Sequence, residues 1–281
     1  MLKYKALWID DSMLSAEPKI EGIRDFLEEE AITFEPILRE NAVDIDSCLG
    51  DPELDIIITD FNGVDVTELI NKIQTLEKYI DLVLYSENPP PEFYEVSRSI
   101  PGIYPCTRDD VEDTIRKVIQ STIRRTQNVT NMRGIVISEA IDIENQIADI
   151  IVSYFSEKGD IIKRSLKRDN FDFGKKVMLL GSISKKIMST QGKDNDEFKQ
   201  INTLVKLLFK EVVWPRNVLS HVKHEIDTNG QAVLTSDIKS PDGDKTITIN
   251  AEWYKETRKK LARHSDNLKA FMDFIAGDTV Q

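Results

Sequence analysis

A chain of 281 residues that is 40% hydrophobic and 31% charged, with few Gly and Pro, is expected to form two globular domains, and its composition excludes a disordered, collagenous or low-complexity protein. No apolar run approaches the roughly 20 residues that span a bilayer, and the first residues lack a secretory apolar region, so the expectation is a cytoplasmic chain with no membrane partner. The net charge of −12 is uneven. Residues 1–126 hold 13 Lys and Arg against 27 Asp and Glu, which disfavours nucleic-acid binding there, whereas the rest hold 24 against 22 and leave it open.

In chain order, the apolar run 6–9 ends in Asp10 and Asp11, the run 55–59 ends in Asp60, and the run 82–85 ends in Ser86. Helical spacing fills 20–29 and 66–77, and a further helix fits 111–124, where Val111, Ile115, Val118, Ile119 and Ile123 are apolar. Continuous apolar strands separated by helices imply a parallel sheet covered on both faces, whose active site lies outside the carboxyl ends of the strands. The acidic and hydroxyl residues stand at those ends. Carboxylates crowded there either hold a divalent cation such as Mg²⁺ or simply cap the helices that follow. Two distant cysteines, Cys48 and Cys106, make neither a disulfide framework nor a metal motif. The charge break in the polar stretch 124–128 sets the expected division into domains 1–126 and 127–281.

An acidic pair after the first strand, a lone Asp after the third and Ser after the fourth resemble the receiver domain of response regulators, over about 125 residues. The resemblance implies a doubly wound, five-stranded α/β domain with Asp60 as phospho-acceptor and Ser86 as switch hydroxyl. It also implies Mg²⁺ held by Asp10, Asp11, Asp60 and the Asn62 carbonyl, and an upstream histidine kinase or small phosphodonor. The chain departs from the pattern after the fifth strand, where 102–108 carry no Lys; the nearest cation is Arg108, whose reach and geometry differ.

The rear half reads as a bundle of four or five helices. Ile137, Ala140, Ile141, Ala148, Ile151 and Phe155 mark a long helix over 132–157, in which Glu144 interrupts the apolar stripe. Further helices follow over 173–187 and 198–208, the latter begun by the acidic 194–197, and over 215–225, with Pro215 in the first turn. Residues 232–235 and 246–249 flank the turn at Pro241, Asp242 and Gly243 as a hairpin-like insertion, and 253–275 form the last helix.

Arg216, Asn217 and His221, within this bundle, resemble the signature of HEPN domains, a helical family with many metal-independent ribonucleases; the likeness spans roughly residues 130–275. It implies homodimers, an RNA substrate and no cofactor in the helical half. His can move a proton near neutral pH while Arg stabilises charge gathering on a phosphate. On an ideal helix Asn217, His221 and His224 share a face, and Arg216 is offset. A carboxylate in an apolar stripe needs a partner, and Arg216 or His221 is the expected one for Glu144. The same residues also read as a structural knot with a dimer-interface His. His264 reads as a surface residue. Lys163, Arg164, Lys167, Arg168, Lys175, Lys176, Lys185 and Lys186 form a basic set that suits either RNA backbone or solvent. The reading is a response-regulator-like protein whose helical output cleaves or binds RNA, with stress or anti-phage defence as the expected setting. The alternative is a non-catalytic regulator that dimerises or docks a partner through the bundle.

Overall fold

The computed structural model describes residues 2–278 except 44, 62–63, 77–78, 92, 96–99, 127, 156–157, 168–170, 191–194 and 229–230, and omits the side chains of 13–15, 124–126 and 278. The chain forms two compact units, 2–126 and 128–278.

The first unit runs β1 (Lys3–Ile9), α1 (Met13–Glu29), β2 (Thr33–Arg39), α2 (Asp46–Leu49), β3 (Leu54–Asp60), α3 (Val66–Thr75), β4 (Asp81–Ser86), β5 (Ile103–Thr107) and α4 (Val111–Thr126). Its five strands pair in parallel in the order β2-β1-β3-β4-β5. Successive strand side chains point to opposite faces, so both faces of these apolar strands must be covered. On one side Tyr4, Ala6, Trp8, Ile56, Ile58, Val83 and Tyr85 pack with Ile20, Ile23 and Leu27 of α1 and Val111, Ile115 and Ile119 of α4. On the other, Leu7, Ile9, Ile57, Leu82 and Leu84 pack with α2 and α3 through Leu49, Val66, Leu69 and Ile70. Cys106 and Cys48 are free, buried thiols on opposite sides.

The second unit is helical with a small antiparallel sheet. It runs α5 (Val129–Tyr154), α6 (Gly159–Leu166), α7 (Phe173–Thr190), α8 (Asp196–Leu208), a π-helical segment Phe209–Val213, α9 (Trp214–His221), then β6 (Glu225–Ile226), β7 (Ala232–Thr235), β8 (Thr246–Ile249) and α10 (Ala251–Asp278). The Asn128 and Asn195 side chains accept the Asn131 and Phe198 N–H groups and so cap α5 and α8. Trp214 stitches the sheet to the bundle by donating its indole N–H to the Ile238 carbonyl at 3.0 Å.

The face that α5 buries keeps Ala140 and Ile151 of the expected stripe but is turned away from Ile141. Met132, Val136, Ala140, Ile143, Ile147 and Ile150 line the core, whereas Ile141 is 42% exposed. The buried carboxylate of α5 is therefore Glu139, three residues before Asp142 and five before Glu144. It receives Arg258 of α10, which is 2% exposed, through contacts of 3.1 to 3.3 Å. The tilt of a single stripe by a few residues decides which acid is inside.

Candidate functional sites

In the first unit the carboxyl ends of the strands bring Asp10, Asp60, Tyr85 and Arg108 together. Asp10 follows β1 and is 2% exposed; Asp60 closes β3 at 8%. Arg108 lies just past β5 and donates to Asp60 Oδ2 at 2.5 Å and to Asp10 Oδ2 at 3.4 Å. Its guanidinium also lies 5.3 Å from the centroid of the Tyr85 ring. The Tyr85 hydroxyl donates to Asp10 Oδ2 at 2.5 Å and accepts the Trp8 indole N–H at 3.4 Å. Asp10 Oδ1 takes the Ser12 backbone N–H at 2.8 Å. Burial, and then the Asp10 carboxylate, push the Tyr85 phenol well above its ordinary range, so it stays protonated and donates. The loop that carries Arg108 is pinned from α1, where the Lys19 ammonium donates to the Arg108 carbonyl at 2.6 Å, and from β4 through the Ser86 carbonyl. Burial opposes the charge on Arg108, but Asp60 and Asp10 outweigh it and hold its pKa above the usual value.

Arg108 thus stands on Asp60, the position for which a Lys was missing. Tyr85 and Lys19 escaped sequence reasoning. Tyr85 was legible only as one more residue of an apolar strand, although strand alternation puts it, with Trp8, on the α1 and α4 side, opposite Leu84. Ser86 is fully buried, and its hydroxyl has no hydrogen-bond partner among the described residues. Asp11 is exposed, and Asn62 lies outside the described residues.

With Arg108 seated on Asp60, the described donors of the expected Mg²⁺ site are already engaged. That ion demands near-ideal octahedral oxygen ligation at roughly 2.0–2.1 Å. Asp10 is engaged at both oxygens, a guanidinium stands against Asp60, and among the described residues no three His, Cys, Asp or Glu side chains gather as a metal set. The cation at the centre of this pocket is Arg108.

In the second unit, Arg216, Asn217 and His221 of α9 line one cavity of about 580 Å³, with Glu144 of α5, Phe173, Phe209 and Trp214. The π segment and Arg133 of α5, which donates to the Leu219 carbonyl in the last turn of α9, fix how α9 presents them. Arg216 donates to the Asn217 side-chain carbonyl at 3.1 Å, while its Nε is buried without a partner among the described residues. His221, the last residue of α9, is exposed, and the helix ends before His224, which therefore does not continue its face.

Glu144 shares the cavity with Arg216 and His221 but pairs with neither among the described residues. Its carboxylate accepts the Lys176 ammonium of α7 at 2.6 Å instead. His264 is fully buried rather than on the surface, its Nε2 2.7 Å from Glu211 Oε2, and Arg263 reaches the same oxygen at 2.5 Å. Burial lowers the His264 pKa, partly offset by Glu211. Burial would raise Glu211, but hydrogen bonds from His264 and Arg263 outweigh it and hold the carboxyl below its ordinary range. Of the basic set, Lys163, Lys167 and Lys176 line a second recess, and Arg168 lies outside the described residues.

No protein-family model matches the chain, and no curated protein matches it. Among the described residues no helix is long and apolar enough to cross a membrane.

Proposed function

We propose that the protein is a two-part signalling molecule, a receiver-like regulatory unit joined to a HEPN-like helical unit that acts on RNA. The observation that carries the reading is the convergence of Arg216, Asn217 and His221 on one cavity beside Phe173 and Phe209. A cavity of that size takes a nucleotide, aromatic rings stack on bases whatever their sequence, and Arg meets a phosphate with two parallel hydrogen bonds.

The reaction this set can run is internal transesterification. The ribose 2′-oxygen bonds to the adjacent phosphorus, the bond from phosphorus to the 5′-oxygen breaks, and the products are a 2′,3′-cyclic phosphate and a 5′-hydroxyl. His221 takes the 2′-hydroxyl proton or delivers one to the leaving oxygen, and Arg216 balances the charge growing on the phosphate. His221 is the one imidazole among the residues that line the cavity and fills one of these two roles, which is why the reading pairs two copies of the chain. In the regulatory unit Asp60 is the acceptor this reading assigns, and a phosphoryl group placed there meets Arg108 first.

The test is incubation of the purified chain with a uniform oligoribonucleotide in EDTA, alongside Arg216→Ala and His221→Ala. Cleavage that leaves cyclic phosphate ends, lost by at least about a hundredfold in both variants, is expected. No cleavage by the wild type, or cleavage unchanged in both variants, refutes the catalytic reading and leaves the helical unit as a dimerising or docking module.

A further inference from the structure

The second recess, about 490 Å³, has a chemistry that nothing above uses. Its lining includes Asn145 and Asp149 of α5, Lys163 of α6 and Lys167 just past its end, with Phe171 and Lys176. Lys163 and Lys167 stand at i and i+4, where like charges repel each other, and neither is ion-paired among the described residues. Asp149 is the one carboxylate among the lining residues, and of the three ammonium groups only Lys176 is paired among the described residues, with Glu144, which leaves the Lys163 and Lys167 charges in excess. Anions are favoured there, and Asp149 and Asn145 offer acceptors that sugar hydroxyls satisfy. A flat aromatic ring at Phe171 suits a base.

Lys176 has a second attachment. Its side chain is 14% exposed and bonded to Glu144 at 2.6 Å, and Glu144 lines the Arg216 cavity while Lys176 lines this one. The ion pair is thus a shared wall between two cavities. A phosphate that drew the ammonium toward itself would leave the Glu144 carboxylate without its cation, on the side where Arg216 and His221 lie.

We propose that the recess binds the phosphate groups of a nucleotide, and that this binding competes with Glu144 for Lys176, so that occupancy of one cavity resets the charge of the other. The proposal deepens the RNA-directed reading of the helical unit, but its readout is binding and does not require cleavage. The ligand chemistry is the same in a free nucleotide and in a strand of RNA, and both serve as probes.

The experiment is calorimetric titration of the full chain with ADP and, separately, with a hexauridylate carrying a non-cleavable 2′-O-methyl backbone, at low salt. Saturable binding of either probe is expected, ADP reporting a free nucleotide and the oligomer alone a strand. The double variant Lys163→Ala/Lys167→Ala should weaken it by roughly tenfold or more, since each ammonium contributes a charge-assisted contact. Glu144→Gln should tighten it by roughly threefold, because linkage between two competitors for one group is reciprocal. Circular dichroism verifies that each variant is folded. Absence of saturable binding by both probes, or binding indifferent to loss of both lysines, overturns the site; affinity unchanged in Glu144→Gln overturns the coupling. A chain that binds but never cleaves upholds this proposal while refuting the catalytic one.

Discussion

Arg108→Ala is the most informative single change in the first unit, because it removes the cation from two nearly buried carboxylates. The guanidinium makes one short bond to Asp60, a longer one to Asp10 and a stacking contact with Tyr85. A hydrogen bond to a charged group is worth about 1.5–3 kcal/mol, and a partly exposed cation–π contact adds about 0.5–1 kcal/mol. The Arg108 side chain is 22% exposed, so water relieves part of the loss. A net cost of about 2–3 kcal/mol remains, which for a unit of this size lowers the melting temperature by roughly 8–12 °C. The assay is thermal unfolding of the full chain, following the transition that contains Trp8, with and without Mg²⁺. The variant pocket, stripped of its own cation, should gain about 1.4 kcal/mol from Mg²⁺ at ten times its dissociation constant, and the wild type close to nothing. A variant that melts within about 1 °C of the wild type, or a wild type that Mg²⁺ stabilises as strongly as it does the variant, refutes the claim that Arg108 is the cation holding these two carboxylates.

Two further outcomes rest on the second unit. Glu139→Ala takes its carboxylate from the almost fully buried Arg258 and should cost about 3–5 kcal/mol, seen as a lower urea midpoint, whereas the apolar double variant Glu139→Leu/Arg258→Met should recover much of it. Stability should also fall as the pH drops below about 6.5, the ordinary His value, because the folded chain keeps His264 neutral while the unfolded chain protonates it. Glu211, whose carboxyl is likewise depressed, adds a second loss below about pH 4.5. Chemical denaturation between pH 8 and 5 should show the first loss in the wild type and not in His264→Gln.

The strands of the first unit were legible because parallel strands covered on both faces are apolar without interruption, and the runs ending at Asp10, Asp60 and Ser86 needed no tertiary information. The strand Thr33–Arg39 was not legible, since it sits at the sheet edge with Glu35, Pro36 and Arg39 diluting its apolar content. In the second unit periodicity found the long helices but not the phase of α5. Of the expected stripe Ala140 and Ile151 are fully buried, but Ile141 is exposed and Ile137 and Ala148 lie at the margin, because the buried face also runs through Val136, Ile143 and Ile147, which are equally apolar. With the phase went the partner, so Glu144 was matched to Arg216 when the nearest ammonium was on α7. Burial of His264 was hidden by its neighbours Arg263 and Asp266, which make the segment look solvated although α10 turns His264 inward with Leu261 and Leu268.

The five residues Phe209–Val213 are wound more widely than the helices on either side, each turn taking in about one residue beyond the usual 3.6. Such a segment acts as a phase shifter: everything downstream is rotated by about 100° about a nearly common axis. The face that α8 gives to the core and the face that α9 gives to its cavity are therefore related by a surplus residue and not by the ordinary helical period. Length is consequently part of the coding here. Shortening the segment by one residue would leave Arg216, Asn217 and His221 in the chain, unmutated, yet aim them elsewhere, so the chemistry of the cavity depends on a number as much as on any side chain.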